Sequence, residues 1–192
     1  MTTGQMMRKL IYAMSVSLDG YIEAANGDLS WSAPDEELHS HFNELEKQID
    51  LNLYGRGMYE IMSAYWPTAD ENPSAPAVEL EYARLWKGMK KIVFSKTLKS
   101  VGWNSRLVSE NAAEEVKKLK SQAGGDISVS GAGIAASLMR LGLIDEYRLY
   151  VRPVILGGGK PMFPALHNAL NLKLVEARTF GSGVVLLRYE VK

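Results

Sequence analysis

The feature of this sequence that most limits its possible folds is a regular alternation of short apolar runs with amphipathic helical segments. Buried strands are predicted at about 9–16, 50–54, 91–94, 106–109, 127–130 and 145–151. Helical spacing of apolar residues lies between them, at about 35–49, 58–62, 78–89, 112–122 and 134–141. Such alternation is typical of parallel strands joined by crossover helices. The chain from residue 9 to about 156 therefore predicts a largely parallel sheet with helices on both faces.

The last part of the chain breaks this alternation. Two strand-like segments, about Leu172 to Phe180 and Val184 to Val191, are joined by Gly181-Ser182-Gly183, which is typical of a β-hairpin. We therefore expect an antiparallel edge on the sheet of an α/β protein. The segment from Pro67 to Pro76 is rich in Pro, Asn, Asp and Ser, which predicts a loop that is too short to separate domains. The prediction is a single domain over residues 1–192.

Composition narrows the possible functions. The chain has 22 Lys and Arg residues and 22 Asp and Glu residues, so no net charge attracts nucleic acid or an anionic membrane. It has no cysteine, which excludes disulfides, thiolate nucleophiles and cysteine-ligated metals. No run approaches the roughly 20 apolar residues that span a bilayer, and Met1 to Lys9 lacks the apolar core of an export signal. We expect a soluble, cytoplasmic protein that acts on a small molecule.

Gly131-Ala132-Gly133 follows a predicted strand and precedes a predicted helix. The pattern Gly131-x-Gly133-x-x-Ala136 has the spacing of a dinucleotide-binding motif. A helix N-terminus presents free amide groups and a positive dipole end to a phosphate, and glycine lets the phosphate come close. The doubly wound dinucleotide fold is not predicted, because the motif lies late in the chain and no acid ends the next strand near residue 151. A phosphate site and a tight turn without a ligand both remain open.

Two further turns place cations at predicted strand ends. Gly55-Arg56-Gly57 supplies a guanidinium, which can form bidentate, charge-assisted bonds with phosphate. Ser95-Lys96-Thr97 supplies another cation and two hydroxyl groups. Parallel strands end at one sheet edge, where open α/β sheets bind ligands, so we expect the three turns to form one site. A phosphate bound by Arg56 with Ser95 or Lys96 favours NADPH over NADH, although each cation taken singly is equally typical of a solvated loop.

The candidate proton donors are acids near the predicted cleft. Hydride reduction of a C=N or C=O bond also requires a proton on the heteroatom, from an acid or a positioned water. Asp19 follows the first strand, and Asp19-Gly20 is also typical of a simple β-turn. Glu37 stands in the first turn of a helix, where acids commonly complement the dipole. His39 and His41 point to nearly opposite sides of that helix, so no metal site is predicted.

Five motifs in order make the sequence similar to the dihydrofolate reductase superfamily, and most similar to its branch related to the reductase domain of bacterial riboflavin biosynthesis. The resemblance extends from about Arg8 to Val191. The motifs are Ser17-Leu18-Asp19-Gly20-Tyr21-Ile22, Leu53-Tyr54-Gly55-Arg56-Gly57-Met58-Tyr59-Glu60, Val93-Phe94-Ser95-Lys96-Thr97, Val129-Ser130-Gly131-Ala132-Gly133, and Leu143-Ile144-Asp145-Glu146 with Pro153 to Gly158.

This resemblance implies a three-layer α/β/α fold, with a mostly parallel sheet of about eight strands and a C-terminal antiparallel hairpin. It also implies NADPH as hydride donor and a homodimer. Asp19 would organise the cleft or relay a proton. The cofactor-binding residues that follow from the resemblance and the three turns are Ala13, Gly55, Arg56, Gly57, Ser95, Lys96, Gly131, Ala132, Gly133 and Ile134.

Three functions remain open from the sequence. The first is an NADPH-dependent reductase that resembles 5-amino-6-(5-phosphoribosylamino)uracil reductase and transfers hydride to a C=O or C=N group of a pyrimidine sugar phosphate. The second is a dihydrofolate reductase, in which Glu37 anchors the pterin; the acid of that enzyme's helix would fall near Leu38 or His39, one or two positions away. The third is a dimer that binds NADPH without turnover.

Overall fold

A computed structural model describes residues 8–192. Most of the N-terminal segment in which no export signal is expected, residues 1–7, lies outside the described residues. Across residues 8–192, none of the helices combines the length and the apolar character that a membrane crossing requires.

The order of helices and strands follows the predicted alternation. The helices are α1 (Glu36–Glu46), α2 (Arg56–Ala69), α3 (Ala77–Gly88), α4 (Ala112–Lys120) and α5 (Ala132–Arg140). The strands are β1 (Leu10–Ser17), β2 (Tyr21–Ala24), β3 (Leu51–Gly55), β4 (Lys91–Phe94), β5 (Ser105–Val108), β6 (Ile127–Ser130), β7 (Glu146–Arg152), β8 (Gly159–Pro161), β9 (Leu172–Thr179) and β10 (Val185–Val191).

One eight-stranded sheet, in the order β5-β4-β3-β6-β1-β7-β10-β9, organises the chain. The six strands from β5 to β7 pair in parallel. The hairpin of β9 and β10 is antiparallel and joins the sheet through β7. The predicted parallel sheet with an antiparallel C-terminal hairpin is therefore confirmed.

Neighbouring residues of one strand pack against helices on opposite faces of the sheet. Leu53 of β3 lies in a core cluster with Val116 of α4 and Leu138 of α5. Its neighbour Tyr54 points to the other face and packs with the fully buried Trp86 of α3. Successive strand residues face opposite sides of a sheet, so one strand contacts both layers.

Helix α2 is longer than the sequence predicts. The composition around Pro67 predicts a loop, but Pro67 lies in the last turn of α2, and the connection to α3 is limited to residues 70–76. A proline inside a helix removes one hydrogen bond and crowds the preceding turn. Packing of this turn offsets the cost of the proline. Pro67 is buried, and its neighbour Trp66 packs edge-on against Tyr82 of α3 with ring centroids 4.4 Å apart.

A second, two-stranded sheet was not predicted. Strand β2 pairs antiparallel with β8, which lies far along the chain. Gly159 begins β8 with a φ of +140°, and a Cβ added there would lie 2.0 Å from the carbonyl oxygen of Glu23. Only glycine permits this approach. Three exposed residues, Gly159 to Pro161, have no strand-like pattern, so their pairing follows from the fold and not from local sequence.

Candidate active site

The two glycine turns at the sheet edge contact each other. Strands β3 and β6 are parallel neighbours, so the turns that follow them lie side by side. Gly131 has a φ of +116°, and a Cβ added there would lie 3.3 Å from the backbone nitrogen of Gly55. A Cβ at Gly55 would in turn lie 3.4 Å from Cγ2 of Ile134. The missing side chain at Gly131 is therefore a requirement of both backbone conformation and packing.

Three helix N-termini converge on one cleft of about 470 Å³ beside these turns. They belong to α2, α4 and α5, whose N-cap residues are Gly55, Asn111 and Gly131. None of these three residues caps its helix with a side-chain hydrogen bond. The first amide groups of a helix then remain free for a ligand, and the dipole favours an anion.

Three cationic side chains line the same cleft: Arg56, Lys96 and Lys160. Arg56 is half-exposed; its Nε donates to Glu60 at 2.8 Å and its Nη1 donates to Oγ1 of Thr97 at 2.9 Å. This network orients the guanidinium at the mouth of the cleft. Sequence reasoning missed Lys160, because the residue reaches the cleft only through the pairing of β2 with β8.

Ser95 holds the third turn in place. Its side-chain oxygen accepts hydrogen bonds from the backbone nitrogens of Thr97 at 3.2 Å and Leu98 at 3.1 Å. The turn thereby keeps Lys96 at the end of β4, next to the turn that contains Arg56. The local hydrogen bonds of a serine hydroxyl explain why the chain stops being a strand here.

Nine of the ten predicted cofactor residues line this cleft, and Ala13 does not. Ala13 lies in β1 and faces an adjoining cavity of about 500 Å³ between the sheet and helices α1 to α3. The cleft and the cavity meet at Met58, which lines both. Ser130 faces the cavity and its neighbour Gly131 faces the cleft, so β6 also ends at this junction.

The cavity is mainly apolar and aromatic. Ile11, Ala13 and Ser15 of β1 form part of its floor, because alternate residues of a strand share one face. Aromatic rings form much of the opposite wall. They are Phe42, Tyr65, Trp66 and Tyr82, with Tyr150 from β7.

The ionisable groups of the cavity are partly buried. Burial lowers the pKa of His39 against the opposing charges of Glu79 and Glu81, which favours the uncharged ring. Burial raises the pKa of the Glu46 carboxyl, whose Oε2 accepts from the side-chain amide of Asn52 at 3.2 Å. Glu79 accepts a hydrogen bond of 2.8 Å from the Tyr65 hydroxyl. These groups were not predicted as site residues, because nothing in their local sequence distinguishes them from solvated helix positions.

The two predicted catalytic acids lie elsewhere. Asp19 accepts hydrogen bonds from the Ser17 hydroxyl at 2.6 Å and from the backbone nitrogens of Leu156 at 3.1 Å and Gly157 at 2.7 Å. The Ser17 hydrogen bond is the largest cause that lowers the pKa of Asp19. Glu37 accepts from the backbone nitrogen of Gly181 at 2.8 Å.

Neither acid is among the residues that line the cleft or the cavity. Each instead ties a distant loop to the end of its own element. The reason is that free backbone amides of the neighbouring loops attract the carboxylates away from the sheet edge. Sequence position alone indicated where these residues are, but not which way they point.

The sequence itself is related to known proteins. Residues 8–186 match the family model described as the RibD C-terminal domain. The uncharacterized protein YyaP of Bacillus subtilis (strain 168) is 38% identical over 190 residues, which cover 98% of this chain and 98% of YyaP.

Solved structures share the fold. A Shewanella sp. PV-4 protein with a riboflavin-biosynthesis designation has a TM-score of 0.76 at 22% identity, covering 96% of this chain and 99% of that one. The Thermotoga maritima deaminase/5-amino-6-(5-phosphoribosylamino)uracil reductase has a TM-score of 0.67 at 14% identity, covering 97% of this chain and 57% of that one. Enterococcus faecalis dihydrofolate reductase, complexed with NADP(H), has a TM-score of 0.63 at 13% identity, covering 96% of each chain.

At these identities the structural likeness is one of fold, and the predicted dihydrofolate-reductase-like fold is confirmed. The sequence relationships go further, because the family model spans almost the whole of the described chain. The chain belongs to the RibD C-terminal domain family.

Proposed function

We propose that this protein is an NADPH-dependent reductase that transfers hydride to a C=O or C=N group of a small molecule. The observation that carries the proposal is the junction of two unlike cavities at Met58. One is a cationic cleft beside three helix N-termini, and the other is an aromatic cavity. A dinucleotide in the cleft and a substrate in the cavity would meet at this junction. Membership in a family of reductases supports the same conclusion.

The residues of the cleft fit NADPH. Free amide groups at the starts of α2 and α5 suit the diphosphate, and a Cβ added at Gly133 would meet nothing within 4 Å, so the backbone there is open to a ligand. Arg56 and Lys96, on neighbouring strand ends, suit the phosphate that distinguishes NADPH from NADH. When bound, NADPH supplies the hydride.

The protein's own residues contribute binding, orientation and exclusion of water. The aromatic wall and the apolar strand face reduce water access to the junction, which strengthens polar interactions there. The proton for the heteroatom would come from solvent water, since neither predicted acid is among the residues that line the cleft or the cavity. Asp19 is the poorer donor, because its lowered pKa keeps the carboxyl ionised and its oxygens already accept hydrogen bonds.

Dihydrofolate reduction is the second candidate, favoured by the aromatic lining and size of the cavity. Its predicted pterin anchor does not support it, because Glu37 binds the backbone of Gly181 outside the cavity. A single assay separates the candidates. NADPH oxidation is followed by loss of absorbance with 5-amino-6-(5-phosphoribosylamino)uracil, with dihydrofolate, and with dihydrofolate plus an antifolate.

NADPH oxidation with either substrate supports the proposed reductase, and antifolate-sensitive oxidation of dihydrofolate establishes the second candidate. Calorimetric titration with NADPH and NADH accompanies the assay. Tight NADPH binding without oxidation of any carbonyl or imine substrate would favour the dimer without turnover. Failure to bind NADPH would overturn the proposal itself.

A further inference from the structure

Strand β1 ends in a turn, residues 17–20, that holds the chain on both sides of β8. Before β8, the backbone nitrogen of Leu18 donates to the carbonyl oxygen of Val154 at 2.8 Å. After β8, the backbone nitrogen of Met162 donates to the carbonyl oxygen of Gly20 at 3.0 Å. Strand β8 is therefore fixed to the end of β1, although the two lie far apart in the sequence.

The carboxylate of Asp19 binds the segment just before β8. Its Oδ1 accepts from the backbone nitrogen of Leu156 at 3.1 Å, and its Oδ2 accepts from that of Gly157 at 2.7 Å. The Ser17 hydroxyl donates to Oδ1 at 2.6 Å, so the carboxylate itself is oriented. Residues 157–159 are all glycine, which brings no side chain to pack and loses the most conformational freedom on folding. The hydrogen bonds to Asp19 therefore fix a segment that side-chain packing cannot fix.

Lys160 is the residue that this attachment places at the cleft. It lies in β8, and the pairing with β2 puts it opposite Glu23. Its Nζ lies 3.6 Å from Oε2 of Glu23, which is longer than a hydrogen bond, and its side chain is 51% exposed. The ammonium group thus remains available to a second anion. Gly159 keeps the two strands close, since a Cβ there would lie 2.0 Å from the carbonyl oxygen of Glu23.

The order of the strands places Lys160 across the glycine turn from the other two cations of the cleft. Arg56 and Lys96 follow β3 and β4, which lie on one side of β6 in the sheet. Strand β1, whose end carries the 17–20 turn and through it β8, lies on the other side of β6. Gly131, which follows β6 and begins α5, therefore lies between the two groups of cations.

We propose that Lys160 binds the diphosphate of the dinucleotide, and that Asp19 is a positioning residue that holds Lys160 there. The inference rests on the proposed function in treating the cleft as the site of NADPH. It gives the 17–20 turn a role in cofactor binding in place of proton transfer. NADPH and NADH share the diphosphate and differ in one phosphate on the adenosine ribose. Lys160 should therefore contribute equally to both, whereas Arg56 distinguishes them.

Isothermal calorimetry of the full chain with NADPH, NADH and 2′-AMP tests the role of Lys160. 2′-AMP carries the phosphate that distinguishes NADPH and lacks the diphosphate. We expect Lys160→Ala to weaken NADPH and NADH by the same factor, about fivefold because exposure screens the charge, and to leave 2′-AMP unchanged. Lys173→Ala is the control, since Lys173 is an exposed cation of β9 outside the cleft. Weakening of NADPH alone, or weakening of 2′-AMP by the same factor, would overturn the assignment.

A double-mutant cycle tests the positioning role of Asp19. Asp19 does not line the cleft, so Asp19→Ala should weaken both dinucleotides only through Lys160, by about fivefold or less. The double variant Asp19→Ala/Lys160→Ala should then bind no more weakly than Lys160→Ala alone. A purely structural contribution of Asp19 would add to the loss, and additive losses would overturn the positioning role. Asp28→Ala is the matched control, because the exposed Asp28 carboxylate accepts from the backbone nitrogen of Ser30 within its own loop.

Amide hydrogen exchange tests the attachment without any cofactor. Exchange at the backbone nitrogen of Gly157, measured by NMR, should be faster in Asp19→Ala than in Asp28→Ala, because the first change removes its acceptor. Asp19→Asn keeps one acceptor oxygen and should retain part of the protection. Equal exchange in Asp19→Ala and Asp28→Ala would contradict the positioning role, whichever dinucleotide binds.

Inorganic pyrophosphate separates failure of this inference from failure of the proposed function. If the unaltered protein binds neither dinucleotide, the proposed function fails, and titration with pyrophosphate decides the role of Lys160 by itself. Weaker pyrophosphate binding in Lys160→Ala then supports the diphosphate site, and no binding or an unchanged affinity overturns it. If both dinucleotides bind and Lys160→Ala changes neither affinity, the role of Lys160 fails alone.

Discussion

The substitution Arg56→Ala tests whether the cleft distinguishes NADPH from NADH. Arg56 is 54% exposed and already bonds Glu60, so a ligand phosphate must share the guanidinium with a carboxylate. A hydrogen bond to a charged group contributes about 1.5–3 kcal/mol, and exposure places this one at the lower end. We therefore expect NADPH to bind about tenfold more weakly, while NADH affinity changes by less than about twofold.

Glu60→Gln is the complementary change. It removes the competitor of the phosphate without altering the length of the side chain. Exposed i,i+4 ion pairs contribute about 0.3–0.5 kcal/mol, so NADPH should bind about twofold more tightly. Isothermal calorimetry at low and high salt measures both effects, which should shrink as salt increases because the sites are exposed.

Arg140→Ala serves as the control, because Arg140 is an exposed cation in the last turn of α5, at the opposite end from the cleft. Equal weakening of NADPH and NADH by Arg56→Ala would show that Arg56 does not recognise the distinguishing phosphate. Unchanged affinity for both would remove Arg56 from the cofactor site altogether.

Other predictions concern stability. Gly131→Ala should lower the free energy of unfolding by about 1–3 kcal/mol and weaken NADPH binding, because a φ of +116° strains any residue with a side chain. Gly133→Ala is the control, since a Cβ there meets nothing within 4 Å and the Tm should be unchanged. Thermal denaturation of both variants checks the prediction. Glu146→Gln should cost about 3 kcal/mol in urea unfolding, because the buried Glu146 carboxylate is the ion-pair partner of the partly buried Arg148 and Arg188; a smaller loss than Lys47→Ala would contradict this. The pKa of Glu146 is lowered by Arg188 and Arg148 against the opposing effect of burial, so its contribution should be present above the unfolded pKa and lost as pH falls through the folded pKa. Burial lowers the pKa of Lys91 from 10.5 to about 8, so folding releases its proton between these two pH values. The free energy of unfolding should therefore rise with pH from about 8 to 10.5, and Lys91→Met should abolish that part of the rise.

The three turns that line the cleft were predictable, because each follows a strand whose type is evident from a short apolar run. Parallel pairing then brings Gly55, Ser95 and Gly131 to one edge in any order of the strands. The contact between Gly55 and Gly131 was not predictable. It depends on β3 and β6 being neighbours, and the sequence contains no rule for that choice.

The directions of polar side chains were the main failure of sequence reasoning. Asp19 and Glu37 stand near the sheet edge in the chain, but backbone amides of residues 156–157 and 181 hold them outside the cleft and the cavity. Lys160 reaches the cleft from a segment with no pattern of its own. Each of these outcomes depends on a pairing between residues more than a hundred positions apart.

The sequence by itself determined the strands of the main sheet, the order in which helices alternate with them, and the residue types available at the sheet edge, but not the pairing of β2 with β8 or the full length of α2. Apolar periodicity and turn residues are local properties of the chain, so they can be recognised in the sequence without knowledge of the tertiary structure. The tertiary structure alone decided that the cations line one cleft while carboxylates and aromatic rings line the adjoining cavity. The cavity exists because α1, α2 and α3 pack over one face of the sheet, and burial there shifts the pKa values of His39 and Glu46 towards their uncharged forms.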